Sequence, residues 1–539
     1  MMKSENRRKG GSTGGKVCVE LARGACYFSR LKPVPIPSLM NMKRVILLLL
    51  IAGLGLGAGL RAEAREAKQP NILFILTDDQ GWPSLSCYGS RAVPTPNLDK
   101  LAAEGIRFTD AYVMPQCTPT RAALLTGQHT ARNGMWHVIP WYGTPWAPVK
   151  EPAYVEQLSR TTFLLPKALK AAGYATGQIG KWHLNTNEDG NYAALKPEAA
   201  AHFGFDWVAL APVANANNKG DKEVDRYTAD ALGFIREHKE QPWFLYLAHH
   251  TLHHNLSAPE ELVQKHLARG APEKGNFNAL YLACIEHLDN SIGKLMAGLE
   301  ELGQKENTIV VFLSDNGGID WSYNVRPVTQ GDGRVTKLEA DRWEFDNAPL
   351  RAGKGSAYEG GIRVPCLVRW PKGIKGNRVE NTPVHVTDWL PTLCALAGAK
   401  VPAEHKVDGA DLSPLLRGQK LKPRPLYWYM PLYDLRWGGT PCVVVREGDF
   451  KLIEFFGDLV DPQGRYVPGH RLQLFNLRED IGETRNLSLA MPERAKAMQE
   501  KLHAWMKSIP AEIPGPNEHH DPGKPLKETR EKPDFVKTR

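Results

Sequence analysis

Cysteine is scarce in this chain: eight occur among 539 residues, and none are spaced as C-x-x-C. That excludes a disulfide scaffold and a paired-cysteine zinc site. Long apolar runs are few as well. Val45 to Leu60 is one, and no later stretch approaches the roughly 18 residues a membrane-spanning helix needs, so a polytopic membrane protein is excluded. No internal repeat is visible, which argues against a solenoid or propeller. A hydrophobic content of 42% and a charged content of 24% exclude a disordered chain. What is missing too, on closer reading, is a real excess of positive charge. The net charge is +9, which would suggest a polyanion binder. Eleven of the basic residues and only three acids lie before residue 65, leaving 57 basic and 56 acidic residues after it, a net +1. No nucleic-acid partner is expected.

The basic leader reads as a secretion signal. Met42-Lys43-Arg44 is a short positive segment, Val45 to Leu60 an apolar one, and Ala62-Glu63-Ala64 a small-x-small cleavage pattern. The run is short and glycine-rich for a permanent span, and no cysteine follows it to carry a lipid. Residues 1–41 form an unusual prologue, so Met42 reads as the true start. The working chain, from about Arg65, is expected to be periplasmic or secreted, without a stable membrane span. Cys18 and Cys26 belong to the prologue. Cys87, Cys117, Cys284, Cys366, Cys394 and Cys442 remain, and most read as small buried apolar residues.

Beyond the leader, strands alternate with helices. The runs 71–76, 242–248 and 308–313 have the continuous apolar composition of strands buried on both faces. They end in Asp78-Asp79, in the cluster His249, His250, His253, His254, and in Asp315-Asn316. A fourth strand leads to Gly180-Lys181-Trp182-His183. Four strands delivering polar residues from one end predict an α/β fold: a large, mostly parallel mixed sheet flanked by helices, with one site along its carboxyl edge. Residues 65–424 form this expected catalytic domain. From about 425 to 514 short alternating strands and an amphipathic helix over 492–508 predict a small C-terminal α+β subdomain. Residues 515–539 read as a flexible tail, and 1–64 as the upstream segment plus signal peptide (42–64).

Asp78, Asp79, Asp315 and Asn316 are hard oxygen donors, suited to Ca2+ or Mg2+ rather than zinc. Taken alone, each pair also reads as a helix cap or a turn. Cys117-Thr118-Pro119-Thr120-Arg121 opens an apolar helical run, which places Cys117 near a helix N-terminus, where an anion is favoured. From the residues alone, Cys117 reads equally as a buried thiol or as a low-pKa thiolate nucleophile. Trp136, His137, Trp141, Tyr142 and Trp146, with Trp321, Tyr323, Trp343 and Phe345, either stack on a substrate at the site mouth or pack their own loops.

From about Pro70 to Trp505 the sequence resembles the formylglycine-dependent sulfatases, of the alkaline-phosphatase-like superfamily. The carriers are the C-x-P-x-R string at 117–121 followed by Leu124-Leu125-Thr126-Gly127, the Asp-Asp and Asp-Asn-Gly strand ends, and Gly180 to Leu184. Gly353 to Pro365 and the segments 446–453 and 474–480 add to them. The resemblance implies that Cys117 is oxidised to Cα-formylglycine by a formylglycine-generating enzyme and is then hydrated. One hydroxyl would attack sulfur and the other would later expel sulfate. It further implies a cation, Ca2+ or Mg2+, held by Asp78, Asp79, Asp315, Asn316 and residue 117. Arg121 would orient the diol, His183 would act as base, and Lys181 and Lys354 would offset the sulfate charge. His253 takes the place of the family's leaving-group acid. The stretch Thr251-Leu252-His253-His254-Asn255 lacks that motif's flanking prolines, and His249, His250 and His254 compete. The expected activity is hydrolysis of a sulfate ester, on a sulfated carbohydrate or on a small aryl or alkyl sulfate. A phosphonate or phosphate ester hydrolase on the same scaffold and a non-catalytic polyanion binder are the alternatives.

Overall fold

The segment Asn71–Thr77 (β1) has all seven residues buried, and its alternate side chains divide between two cores. Ile72, Phe74 and Leu76 enter one cluster, while Leu73 and Ile75 enter the other. A strand so placed has no solvent face, which is why its sequence is apolar without alternation. The computed structural model describes residues 69–209, 220–320, 326–329, 335–339, 345–460, 466–509, 511–524, 529, 531–536 and 538. The leader, the signal segment, Trp321, Tyr323 and Trp343 lie outside the described residues. The described residues all belong to one compact unit, Lys68–Arg539.

Seven further strands join β1: Ile106–Phe108 (β2), Ala175–Gly180 (β3), Trp207–Val208 (β4), Trp243–Ala248 (β5), Thr308–Ser314 (β6), Cys366–Arg369 (β7) and Arg378–Glu380 (β8). Their order across the sheet is β8-β2-β7-β6-β1-β5-β3-β4. β1 runs parallel to β5 and β6, and β3 runs parallel to β4 and β5. β7 is antiparallel to both β6 and β2, and β8 is parallel to β2. Seven strands therefore share one direction and β7 opposes them, the mostly parallel mixed sheet that the strand–helix alternation predicts.

Helices cover both faces. Pro96–Glu104 (α1), Val224–His238 (α4) and Ala279–Glu301 (α5) pack Leu98, Phe234, Leu288 and Ile292 on one core. Cys117–Thr126 (α2), Leu165–Ala171 (α3) and Trp389–Ala397 (α6) pack Leu125, Leu169 and Leu390 on the other. Among the described residues no helix is long and apolar enough to cross a membrane. The six described cysteines are all free.

A second, four-stranded antiparallel sheet follows in the chain. It runs in sequence order through Leu426–Met430 (β9), Cys442–Glu447 (β10), Phe450–Phe455 (β11) and Arg471–Asn476 (β12), and the helix Pro492–Ser508 (α7) lies on it. The continuous stretch 443–453 is split into two strands by the tight turn at Gly448, whose φ is +59°. The segment after Pro514, expected as a solvated tail, is bonded instead to the loop 141–154. Lys150 N donates to Gly515 O at 2.8 Å, and Asn517 Nδ2 donates to Pro145 O and Ala147 O at 2.7 and 2.8 Å.

Candidate active site

The register of the central strands sets the site. Thr77 pairs with Ser314, Leu76 with Ala248 and Gly180 with Ala248. Asp78 therefore leaves the sheet level with Asp315, and His249 level with Lys181 one residue lower, across four neighbouring strands. Asn316 Nδ2 donates to Asp79 Oδ1 at 2.7 Å, and the Asp79 amide donates to Asp315 Oδ1 at 3.2 Å. Gly317 follows because nothing larger fits: a Cβ there would lie 1.7 Å from the backbone oxygen of Gly360. Gly317→Ala is expected to displace Asp315 and Asn316 and to cost about 3 kcal/mol or more; a wild-type thermal midpoint in that variant would contradict it.

The helix α2 brings the thiol to this edge. Gln116, extended at φ −143°, caps it, and Cys117 stands in its first turn. Cys117 Sγ donates to Asp78 Oδ1 at 3.3 Å and to Asn316 Oδ1 at 3.4 Å, and Lys354 Nζ lies 3.7 Å away. Burial first, then the charges of Asp315 and Asp78, push the thiol well above its ordinary pKa. In this setting Cys117 is a neutral thiol, not the low-pKa thiolate that a helix N-terminus alone would favour.

Three buried cations meet the three buried carboxylates. Arg121 Nη2 is 2.6 Å from Asp315 Oδ2, Lys181 Nζ is 2.5 Å from Asp78 Oδ2, and Lys354 Nζ is 2.6 Å from Asp79 Oδ1. Asp78 sits well below the usual carboxylate range because Lys181, with its cationic neighbours, outweighs burial. Asp79 is raised by burial, which the Lys354 charge does not fully offset. Burial and then Asp78 raise Asp315 to about 6. Even with three cations present, the carboxylates still repel one another. Potential ligand atoms of Asp78, Asp79, Cys117 and Asp315 lie within 4.8 Å of each other. A set of converging hard oxygens of this kind fits a divalent cation of the Ca2+ or Mg2+ type. A second acidic group, Asp221, Asp225 and His287, has a local explanation. Asp221 accepts the amides of Glu223 and Asp225 at the start of α4, and Lys294 pairs with Asp225 at 2.6 Å.

Cys117, His183, His253 and Lys354 open onto one cavity of about 370 Å3. Arg121 and Lys181 do not line it: Arg121 donates to Asp315 and to the carbonyl of Lys181, and Lys181 holds Asp78. His183 donates from Nε2 to Ile139 O at 2.8 Å, which leaves Nδ1, buried, as the acceptor. Burial, then Lys181, keep this imidazole neutral. Of the four clustered histidines, His253 is the one in the cavity wall, with Nε2 4.0 Å from Asp79 and Nδ1 engaged by the carbonyl of His254. His250 turns to the Tyr227 hydroxyl at 3.1 Å, and His249 is fully buried beside Tyr227.

The rest of the wall is Trp141, Tyr192, Arg436 and Trp437, with the 138–140 backbone. Of the crowded aromatics among the described residues, only Trp141 reaches it. Trp136 packs edge-on against Tyr429, Trp146 lies against Phe535, and Phe345 is buried on Tyr281. Tyr192, Arg436 and Trp437 carry no sequence signal. Tyr192 sits in an irregular loop and Arg436 and Trp437 in the single 3-10 turn Leu435–Trp437, and nothing in their spacing announces a site. A larger cavity, about 550 Å3, lies between the loop 142–154 and the C-terminal segment. It contains none of the clustered acids, lysines or thiol, so the chemistry belongs to the smaller one.

The family model described as Sulfatase matches residues 70–399, well over half of the chain. The chain belongs to the sulfatase family. It is a sulfuric ester hydrolase on the alkaline-phosphatase-like fold. A second model, described as N-sulphoglucosamine sulphohydrolase, C-terminal, matches residues 353–511 of this sulfatase. The N-acetylgalactosamine-6-sulfatase of Canis lupus familiaris is 31% identical over 524 residues, covering 88% of this chain and 90% of that protein. Arylsulfatase A of Homo sapiens is 32% identical over 491 residues, covering 82% and 88%. The crystal structure of Ps i-CgsB in complex with k-i-k-neocarrahexaose is similar at a TM-score of 0.62 and 27% identity, over 81% of this chain and 93% of that one.

Proposed function

We propose that this sulfatase removes a sulfate ester from a carbohydrate outside the cytoplasm. In this reading Cys117 is converted to formylglycine by a formylglycine-generating enzyme. A divalent cation, Ca2+ or Mg2+, is held by Asp78, Asp79, Asp315 and Asn316 with residue 117. The observation that carries it is the position of Cys117, in the first turn of a buried helix, touching Asp78, Asn316 and Lys354 where the cavity begins. Hydrated formylglycine supplies two hydroxyls, one for attack on sulfur and one for the later release of sulfate. When bound, the cation supplies Lewis-acid polarisation and a lowered pKa for the attacking hydroxyl.

The chain's own residues carry the remaining tasks. His183, neutral and with Nδ1 free of a protein donor, is the base that takes the proton when sulfate leaves. His253, whose Nδ1–H is held by the His254 carbonyl, serves the leaving alkoxide in its doubly protonated form, giving up the Nε2 proton and returning to the Nδ1–H tautomer. Lys354 lies in the wall beside residue 117 and offsets the charge that builds on the sulfate oxygens, while Lys181 neutralises Asp78 behind the cavity. Arg121 fixes Asp315 and, through the Lys181 carbonyl, the strand end beside it. The aromatic wall of Trp141, Tyr192 and Trp437 favours a sugar ring, in keeping with the names of N-acetylgalactosamine-6-sulfatase and of the neocarrahexaose complex.

Sulfate release from sulfated sugars, an aryl sulfate and a phosphonate monoester tests the reading, alongside mass spectrometry of the peptide spanning residue 117. Turnover of sulfated sugar is expected together with an aldehyde at 117. Chelation should abolish it, and Ca2+ or Mg2+ should restore it. An active enzyme with an intact thiol, or faster phosphonate than sulfate turnover, would overturn it.

A further inference from the structure

The carbohydrate reading leaves Arg436 without a task. Resting on that reading, we propose that the sugar carries a second anionic group, a carboxylate or a further sulfate, and that Arg436 is the residue that selects it. Arg436 lines the same cavity as Cys117, His183 and Lys354, although it comes from the loop between β9 and β10, far along the chain. That loop is tightly closed. Asp434 N donates to Gly439 O at 3.0 Å, Gly439 N donates back to Asp434 O at 2.9 Å, and Gly438 takes the left-handed conformation at φ +72°.

The guanidinium is held on several sides. Nε donates to Asp434 Oδ1 at 3.1 Å and Nη2 to Asp434 Oδ2 at 3.5 Å, and its carbon lies 4.5 Å over the Trp141 ring and 5.8 Å over the Trp437 ring. Asp434 is fully buried and also receives a hydrogen bond from Gln116 Nε2. Gln116 is the residue that caps α2, immediately before Cys117. Two contacts therefore connect the reacting side chain to this cation, and they fix one relative to the other.

Three physical consequences favour an anion there. A guanidinium stacked on indoles and pinned by a carboxylate loses little freedom when a ligand arrives. A planar guanidinium carries five N–H donors, two of them here on Asp434, and meets the oxygens of a carboxylate or sulfate better than it meets a hydroxyl. The Arg436 side chain is only 21% exposed, so the attraction is less screened than at an open surface. If compact, a cavity of this volume is about 9 Å across, close to one sugar ring, so the second anion belongs to the sulfated ring or to the next one. Lys354 lies in the same wall, 5.4 Å over the Trp437 ring, beside residue 117, whereas Arg436 stands on the Trp141 side, away from the clustered acids and paired with Asp434.

The test compares three sugars in the full-length enzyme: a monosulfated N-acetylhexosamine, the same sugar linked to a uronate, and a disulfated hexosamine. An aryl sulfate serves as the reference. For the wild type, kcat/KM for one of the doubly charged sugars is expected to exceed that for the singly charged one by at least about tenfold. Arg436→Ala should bring that ratio close to one, chiefly through KM, and Arg436→Lys should restore only part of it. The uronate and disulfate arms tell which oxyanion is selected. A wild-type ratio near one overturns the proposal. So does an Arg436→Ala variant that loses both sugars equally, because that is what merely propping up Trp141 would produce. Binding of the same sugars to Cys117→Ala protein, with and without Arg436→Ala and read by tryptophan fluorescence, gives the same ratio without turnover. If wild-type enzyme releases sulfate from no substrate, the functional reading fails, and the binding ratio still decides the role of Arg436.

Discussion

Cys117→Ala is expected to lower kcat for sulfate release by at least about 10^4-fold while leaving the fold in place. The thiol is small and 1% exposed. Its removal takes away one sulfur atom and three weak polar contacts, to Asp78, Asn316 and Lys354, a stability change of about 1 kcal/mol. Activity and stability should therefore separate cleanly. Cys117→Ser is the sharper variant, since it keeps one hydroxyl where the proposed chemistry uses two. It is expected to release at most about one equivalent of alcohol per site, measured by rapid quench, and then to stop. Steady turnover by the serine variant within tenfold of wild type would contradict the two-hydroxyl argument.

The largest expected loss of stability lies elsewhere, at Lys451 in β11. Its Nζ is 3.0 Å from Glu359 Oε1 and 2.8 Å from Glu483 Oε1, and none of the three side chains is exposed. Arg363 pairs with Glu359 at 3.3 Å, and Arg363 and Arg446 both pair with Asp110, at 2.9 and 2.8 Å. Lys451→Met would leave Glu359 and Glu483 out of water without the cation they share, at an expected cost of about 3–5 kcal/mol. Urea denaturation of the purified variant measures it, and a shift below 1 kcal/mol would show that the site relaxes.

The same cluster sets a pH dependence. Burial, then Glu359, raise Glu483 to about 7 despite Lys451, whereas Lys451 and Arg363 overcome burial and hold Glu359 down to about 2. Glu483 retains a proton that the unfolded chain gives up near 4.5, so its contribution is full below that pH and is lost as pH rises through about 7. Glu359 contributes above 4.5 and loses its share as pH falls toward about 2. The network favours the folded state most at mildly acidic pH. Glu483→Gln should flatten the decline in thermal midpoint between pH 5 and 7; an unchanged slope would assign the decline to other groups.

Much of the catalytic edge is legible in the chain because local sequence encodes it. β1 and β6 are buried on both faces, so their apolar runs are uninterrupted, and the acids that stop them mark the carboxyl ends. Pro119 and the apolar run behind it place Cys117 at a helix start. The choice of His253 among four histidines needs three dimensions, because His249 and His250 differ from it only in the direction the loop turns them. Trp136 and Trp141 show the same limit: five residues apart, one packs under β9 and the other enters the cavity. Arg436 reaches the site only because the second sheet holds its loop there. The Lys451 cluster joins residues 92 positions apart, a pairing that no local pattern contains.

Every residue of the helix Cys117–Thr126 is buried. On the proposed function this turns maturation into a race against folding. An enzyme that recognises the segment 117–121 needs it as accessible chain, and the closed sheet denies that access. β6, which walls in the site, is synthesised about 190 residues after Cys117, an interval of about 10–40 s at ordinary elongation rates. Conversion belongs to that interval or to a state held open after it. A molecule that closes early keeps its thiol, is stable and is permanently inactive, so the active fraction of a preparation records the outcome of a kinetic competition rather than an equilibrium.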